Sequence, residues 1–383
     1  MVNYKDDPAS TLAERAIRIC QFAKEFEESG NYEAAIDVMR ELWPSVEGRP
    51  QTEGLEHFEA AEVLLRAGTL LVFTGGVKHP EGNYESAKNL ISESIRLFEA
   101  IGRTDKVVEA QTELAHCYAR GGAYDDARSI LRLALSQLGN SEREQKVATL
   151  LRSSIVEASA TRFNDALQLL LEAAPLIEAS TNHARKGQFH AHFAIVLEML
   201  GKGENRADYA DRALIEHAAA SFHFERAGHT RYYACGENNI GLLHLKAGRF
   251  TQAHEHLDRA RRLFTGLNDR DSVAQVDDTR ARVFIEQQKN REAGVAAREA
   301  VQALENSGQQ RLFAEALTTW GTALARLGRQ EEARRVLQRA FEVAEQAGAL
   351  EEAGTAELTM LEELGEHLAI AELRAIYELA DHL

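Results

Sequence analysis

The sequence predicts an all-α chain, a solenoid of about eight to nine helical hairpins. Three observations lead there: a helix-forming vocabulary, a missing linker and a short motif that returns at a nearly fixed interval. Ala, Leu, Glu and Arg dominate the 383 residues, with 44% hydrophobic and 27% charged residues, the balance of a chain that folds in water. A chain this long exceeds the size at which one globular core stops growing, so it is either several domains or a repeat array. Only five prolines occur, and no Pro- or Ser-rich stretch divides the chain, which favours one array over residues 1–383.

The returning motif is Gly, any residue, an aromatic, two further residues and Ala. It reads GNYEAA from Gly30, GNYESA from Gly82, GAYDDA from Gly122 and GRFTQA from Gly248. Looser copies end at Ala166, Ala213, Ala293 and Ala333, and together with Ala35, Ala87, Ala127 and Ala253 they are spaced by 52, 40, 39, 47, 40, 40 and 40 residues. Glycine ends a helix in the left-handed conformation, the aromatic fills the elbow, and Ala marks a close helix crossing. Upstream of each turn a helix-period stretch carries a small residue 12 positions before the final Ala: Ala23, Ala115, Ser154, Gly241, Ala281 and Gly321. Downstream a second Ala follows at seven residues: Ala134, Ala260, Ala300 and Ala340. Each repeat is therefore a hairpin of two helices, A and B, with small residues at the crossing.

Two steps break the period. Residues 73–84 and 200–209 supply the extra length and are expected as longer turns. The first hairpin is placed at 12–48, and residues 349–383 form two amphipathic capping helices without the turn motif.

These residues resemble the tetratricopeptide repeat, from about Leu12 to the C-terminus, although the aromatic that the family carries in helix A is mostly replaced. The unit is about 40 residues long where the family usually has 34, like the lengthened repeats of bacterial signalling regulators. The resemblance implies a right-handed α-α superhelix whose A helices line a concave groove that holds a peptide or protein segment. Carried over by position, the groove takes Glu109, Thr112, His116 and Arg120; Cys235, Asn238, Leu242, Leu245 and Lys246; Gln275, Asp278, Arg282 and Glu286; and Glu315, Thr318, Thr322 and Arg326. Three residues before the small residue stand Thr112, Leu151, Asn238, Asp278 and Thr318. An amide there both donates to and accepts from an extended backbone, each bond contributing about 0.5–1.5 kcal/mol, so several repeats must act together. Asn239, about 100° around the helix, is expected to bond a neighbouring helix. Arg120, Lys246, Arg282 and Arg326 form a basic stripe that would attract an acidic peptide or a terminal carboxylate.

Other chemistry finds less support. A formal charge of -16 argues against a nonspecific nucleic-acid or anionic-membrane binder. The N-terminal residues lack a signal-peptide pattern, and a cytoplasmic location is expected. Cys20, Cys117 and Cys235 form no CxxC, and neither a metal knuckle nor a disulfide framework follows. Nine of the 14 histidines fall between His183 and His256, but spacings of two place their rings about 200° apart, and no HExxH is present. Lys78 is followed by His79 and Pro80, so the glycine-rich 73–82 segment is not a P-loop. No catalytic set, metal or cofactor is assigned. The expected function is a noncatalytic peptide- or protein-binding scaffold or sensor, with a self-associating or intramolecular regulatory module as the alternative.

Overall fold

The computed structural model describes residues 11–74, 80–139, 143–204 and 207–365. Among the described residues the chain forms seventeen α-helices and no strand. The helices are α1 (Leu12–Glu28), α2 (Tyr32–Met39), α3 (His57–Thr74), α4 (Pro80–Ala100), α5 (Thr104–Arg120), α6 (Tyr124–Gln137), α7 (Arg143–Ser159), α8 (Phe163–Glu178) and α9 (His183–Glu204). They continue as α10 (Ala207–Ala227), α11 (Thr230–Lys246), α12 (Phe250–Gly266), α13 (Arg270–Glu286), α14 (Asn290–Leu304), α15 (Gln310–Arg326), α16 (Gln330–Gln346) and α17 (Leu350–Leu364). This is the all-α, tetratricopeptide-like hairpin repeat that the motif predicts.

Local chemistry sets the helix ends. Thr11 and Glu14 close a reciprocal capping box on α1: the Glu14 N–H donates to Thr11 Oγ1 at 3.3 Å, and the Thr11 N–H donates to Glu14 Oε2 at 2.8 Å. Gly30, Gly122, Gly248 and Gly328 turn the chain between A and B with φ between 68° and 79°. Where the motif lacks its glycine, Thr161 and Gln288 take the same conformation at φ 58° and 59°. That costs a residue with a Cβ about 1–2 kcal/mol, which the repeat packing offsets.

Of the longer turns expected at 73–84 and 200–209, residues 75–79 and 205–206 lie outside the described residues, and the flanking parts are helical: α3 runs to Thr74 and α4 begins at Pro80, while α9 runs to Glu204 and α10 begins at Ala207. Proline's fixed φ suits a first helical turn, so Gly82 lies within α4 and does not end a helix. Of the two expected capping helices, α17 is the first, and the second falls at 366–383, outside the described residues.

Contacts divide the chain into two compact units, residues 1–233 and 234–383, parted within α11. In the first unit, consecutive odd-numbered helices from α1 to α9 touch one another, whereas successive even-numbered helices do not pack together, so the A helices form the inner layer. In the second unit, α13, α15 and α17 are related in the same way. All eight motif alanines are fully buried, from Ala35 to Ala333, as are Ala134, Ala260, Ala300 and Ala340.

The A–B crossing is dimensioned by pairs of residues 16 apart. A Cβ on Gly241 would lie 2.7 Å from Leu257 Cγ, and one on Gly321 would lie 2.6 Å from Leu337 Cγ. The repeat between them carries Ala281 and Ala297 at the same two positions, both fully buried. The crossing thus holds either Gly with Leu or Ala with Ala, one volume divided two ways.

This complementarity predicts a sign reversal in urea unfolding. Leu337→Ala should destabilise by about 2–5 kcal/mol. Gly321→Ala should fail to stabilise the wild-type chain, despite alanine's better helix propensity, yet should stabilise the Leu337→Ala background. The coupling should be about 0.5–3 kcal/mol, and strictly additive effects would mean the two positions do not share the crossing.

Candidate functional site

Both units bury polar groups along their A helices, and in each some side-chain atoms have no hydrogen-bond partner, among them Glu27 Oε1 and Arg66 Nε in the first unit. In residues 11–233 the A helices are bound by a buried ionic network. Arg66 of α3 is 3% exposed and donates to Glu27 of α1 at 2.6 Å and to Glu109 of α5 at 2.9 Å. Lys24 reaches Glu109 at 2.8 Å, and Lys106 pairs with Glu62 at 2.6 Å and with Glu109 at 3.1 Å. Burial would raise the Glu109 carboxyl, but Arg66, Lys24 and Lys106 together hold it well below the usual carboxylate range. Farther along, Arg152 of α7 donates to Glu113 of α5 at 3.2 Å.

Next to this network lies an aromatic run. Tyr32 stacks on Phe73 with ring centroids 4.1 Å apart, and Phe73 tilts against His116 at 5.3 Å. The Tyr32 and Tyr232 hydroxyls lie 3.2 Å apart. Burial, with Arg152 and Arg120 nearby, holds the His116 imidazole well below its ordinary pKa, so it is neutral at pH 7. Burial and Arg152 likewise push His192 down to about 4.

Of the groove positions expected in this unit, Glu109 is taken up by the ionic network. The Thr112 hydroxyl donates to the Val108 carbonyl at 2.8 Å and lies 3.2 Å from the Thr149 hydroxyl. His116 is buried with Nδ1 unpartnered, and Arg120 is exposed at the end of α5.

On the inner face of residues 234–365, Asn238 and Asp278 occupy equivalent positions on α11 and α13, 8% and 5% exposed, and the Oδ1 of each is buried without a hydrogen-bond partner. Thr318, the next in register, is buried and donates to the Ala314 carbonyl at 3.0 Å, while Thr322 donates to the Thr318 carbonyl at 3.0 Å. Gln275 and Leu242 are half-buried; Cys235, Lys246, Arg282 and Arg326 are exposed, and Arg326 pairs with Glu363 at 2.8 Å. Burial raises the Asp278 pKa against the pull of Arg282 and Thr319, and burial together with Asp278 raises that of Glu315. Asn239, the other half of the asparagine pair, is half-buried.

The position one residue earlier has another role. Glu237 accepts from His256 at 2.8 Å and from Arg259 at 2.9 Å, and Asp277 accepts from Arg261 at 2.8 Å. Those partners all lie on α12, so residues 237 and 277 lock helix to helix, and residues 238 and 278 are left without such partners.

The histidines that crowd 183–256 are spread over several such pairs. His190 meets Glu216 at 2.6 Å, His217 meets Glu198 at 2.8 Å, and His183 meets His223 at 2.9 Å between Nδ1 atoms. Among the described residues no three His, Cys, Asp or Glu side chains converge as a metal site would require. Nor is any described helix long and apolar enough to cross a membrane.

What sequence reading missed is the Arg66 network. Its visible signal is a pair of charges, Glu62 and Arg66, in the mostly apolar stretch AAEVLLRAGTLL of α3. A charge that must be buried needs partners, but nothing in the spacing identifies Glu27 and Glu109 as those partners.

No protein-family model matches the chain. No curated protein matches it either. Solved structures do. The apo form of RapI superposes with a TM-score of 0.59 at 14% identity, over 92% of this chain and 92% of that one. Aspartyl phosphate phosphatase F from Bacillus subtilis gives 0.58 at 13% identity, over 98% of this chain and 95% of that one. NprR in complex with its cognate peptide NprX gives 0.53 at 12% identity, over 85% and 88%. At such identities the likeness establishes the fold, and function must be argued from this chain's own side chains.

Two outcomes follow from the electrostatics. Arg66→Ala leaves Glu27 buried without its cation and Glu109 with Lys24 and Lys106 alone, and should cost about 3–5 kcal/mol in chemical unfolding. Because Glu109 is depressed in the folded state, its stabilisation is complete above the unfolded pKa and lost as pH falls. The unfolding free energy should therefore drop more steeply below about pH 4 in the wild type than in Glu109→Gln. Asp278 is the opposite case: with its folded pKa raised, the ionised carboxylate opposes folding, and stability declines as pH rises through that value. Asp278→Asn should therefore raise the melting temperature at pH 7, followed by circular dichroism, with the gain shrinking as pH falls towards the usual carboxylate range.

Proposed function

We propose that the protein is a noncatalytic helical-repeat sensor or scaffold whose inner face in residues 234–365 holds an extended peptide segment. The observation that carries this reading is Asn238, a side-chain amide buried to 8% exposure whose Oδ1 has no partner within the protein. A buried unpaired acceptor costs about 1–3 kcal/mol, and a bound backbone N–H would supply the missing bond. Asp278 offers a second such oxygen one repeat away, and an extended chain spanning the two helices would meet both. Support of a coarser kind comes from NprR, which has a similar fold and was solved with its cognate peptide.

Lys246 and Arg282 flank these positions as exposed cations, where they would contact the ligand's polar groups. The first unit serves in this reading as a stiff support, since Glu109 and Thr112 are already engaged internally. Self-association remains the competing reading.

Asn238→Ala combined with Asp278→Ala should abolish peptide capture from a lysate of the source cells while leaving the far-ultraviolet circular dichroism unchanged. Each lost backbone bond should weaken binding by about 0.5–1.5 kcal/mol. Unchanged capture would remove the groove assignment, and a concentration-dependent dimer that survives these substitutions in light scattering would favour self-association.

A further inference from the structure

The polar groups of the second unit's inner face are unbalanced in one direction, and that imbalance specifies a ligand more narrowly than the groove itself does; the argument rests on the peptide-binding reading above. The two buried side-chain atoms left unsatisfied in the groove register, Asn238 Oδ1 and Asp278 Oδ1, are both acceptors. The hydroxyl protons of Thr318 and Thr322 are already given to the Ala314 and Thr318 carbonyls, and the Thr319 hydroxyl, 3.2 Å from the Glu315 carbonyl, also hydrogen-bonds the Asp278 carboxyl, whose Oδ1 is still unpartnered. Two of the neighbouring cations are also engaged: Arg311 lies 3.4 Å from Glu352, and Arg326 lies 2.8 Å from Glu363. Arg282, one turn along α13 from Asp278, is exposed and acts on it through space.

Asp278 is 5% exposed, and half-buried Glu315 lies within its field. A carboxylate as buried as that of Asp278, with Oδ1 unpartnered, disfavours its own ionised form, and a further carboxylate from a ligand would add to the repulsion. A cation placed there would gain from both Asp278 and Glu315.

We infer that this face takes a basic peptide segment, whose backbone N–H groups donate to Asn238 Oδ1 and Asp278 Oδ1 and whose cationic group sits against Asp278 and Glu315. This replaces the acidic partner that Arg120, Lys246, Arg282 and Arg326 suggest when the groove positions are read from sequence. The cation is a Lys or Arg side chain or an N-terminal ammonium, chemically equivalent donors that the experiment separates.

The test probes the purified full chain with a random octapeptide library anchored through its C-termini, prepared once with free and once with acetylated N-termini. Binders should be enriched in Lys and Arg over Asp and Glu, or should depend on a free amino terminus. Acetylation-sensitive binding assigns the terminal ammonium, and acetylation-insensitive binding assigns the side chain. For the best basic peptide, Asp278→Asn with Glu315→Gln should weaken binding by about tenfold or more by calorimetry, the loss expected on removing a desolvated charge partner. The melting curve of that variant, no lower than that of the wild type, separates this loss from unfolding. Enrichment of Asp and Glu, lost on Asn238→Ala, would overturn the basic ligand but keep the groove. Undiminished binding of basic peptides to the double variant would equally overturn the assignment to Asp278 and Glu315. Binding of no peptide from either library would overturn the groove reading itself, and the inference with it.

Discussion

The close crossing of helix A on helix B is the constraint from which the rest of the architecture follows. Where Gly241 faces Leu257 and Gly321 faces Leu337, no room remains for a Cβ, so the two axes are held at the separation that one leucine side chain sets. Ala281 with Ala297 reaches the same result by sharing the volume. Because the spacing is fixed within each hairpin, hairpins of nearly constant length stack in a constant way. Within each unit, successive A helices then pack on one another more closely than successive B helices do. A residue's position along helix A consequently determines whether it meets its own B helix, the next A helix or the space inside.

That geometry explains why adjacent residues of one helix have unrelated roles. Glu237 and Asp277 turn to α12 and are consumed in pairs with His256, Arg259 and Arg261. Asn238 and Asp278, one residue on, are rotated by about 100° and have no such partner. The same rotation acts in the first unit with the opposite result. There the inner positions carry charges of both signs, and Arg66, Glu109 and Lys106 neutralise one another at 2.9–3.1 Å. In the first unit most of these charges hold helices to one another, although Arg66 Nε and Glu27 Oε1 are left without a hydrogen-bond partner; in the groove register of the second unit the atoms left without one are the acceptors Asn238 Oδ1 and Asp278 Oδ1.

Particular elements mark how much of this was legible in the sequence. The turns were readable because left-handed backbone favours glycine, and Gly30, Gly122, Gly248 and Gly328 adopt it. Thr161 and Gln288 were recognised as turns through spacing alone, since their identities oppose the conformation they adopt. The long steps were only partly legible, because residues 80–84, 200–204 and 207–209, which are helical, look like loop residues when counted as excess over a 40-residue period. Helix extension satisfies their backbone groups, where an open turn would leave them to solvent. In the groove, register located Asn238, Asp278 and Thr318, but not which of them would already be bonded. A threonine hydroxyl can reach the carbonyl four residues back in its own helix, as Thr318 does, whereas the unpaired Oδ1 atoms of Asn238 and Asp278 have no such local outlet.

The sequence by itself determined the fold class, the hairpin unit and the small residues of the crossings. All of these depend on periodicity, and periodicity is a property of the chain. Tertiary structure alone decided which charges would be shared between helices far apart in sequence, such as Arg66 with Glu27 and Glu109. It also decided which inner side chains would be satisfied. The reason is physical: hydrogen bonds and ion pairs act over about 3 Å, and whether two groups come that close depends on the stacking of whole hairpins and not on the residues of either one.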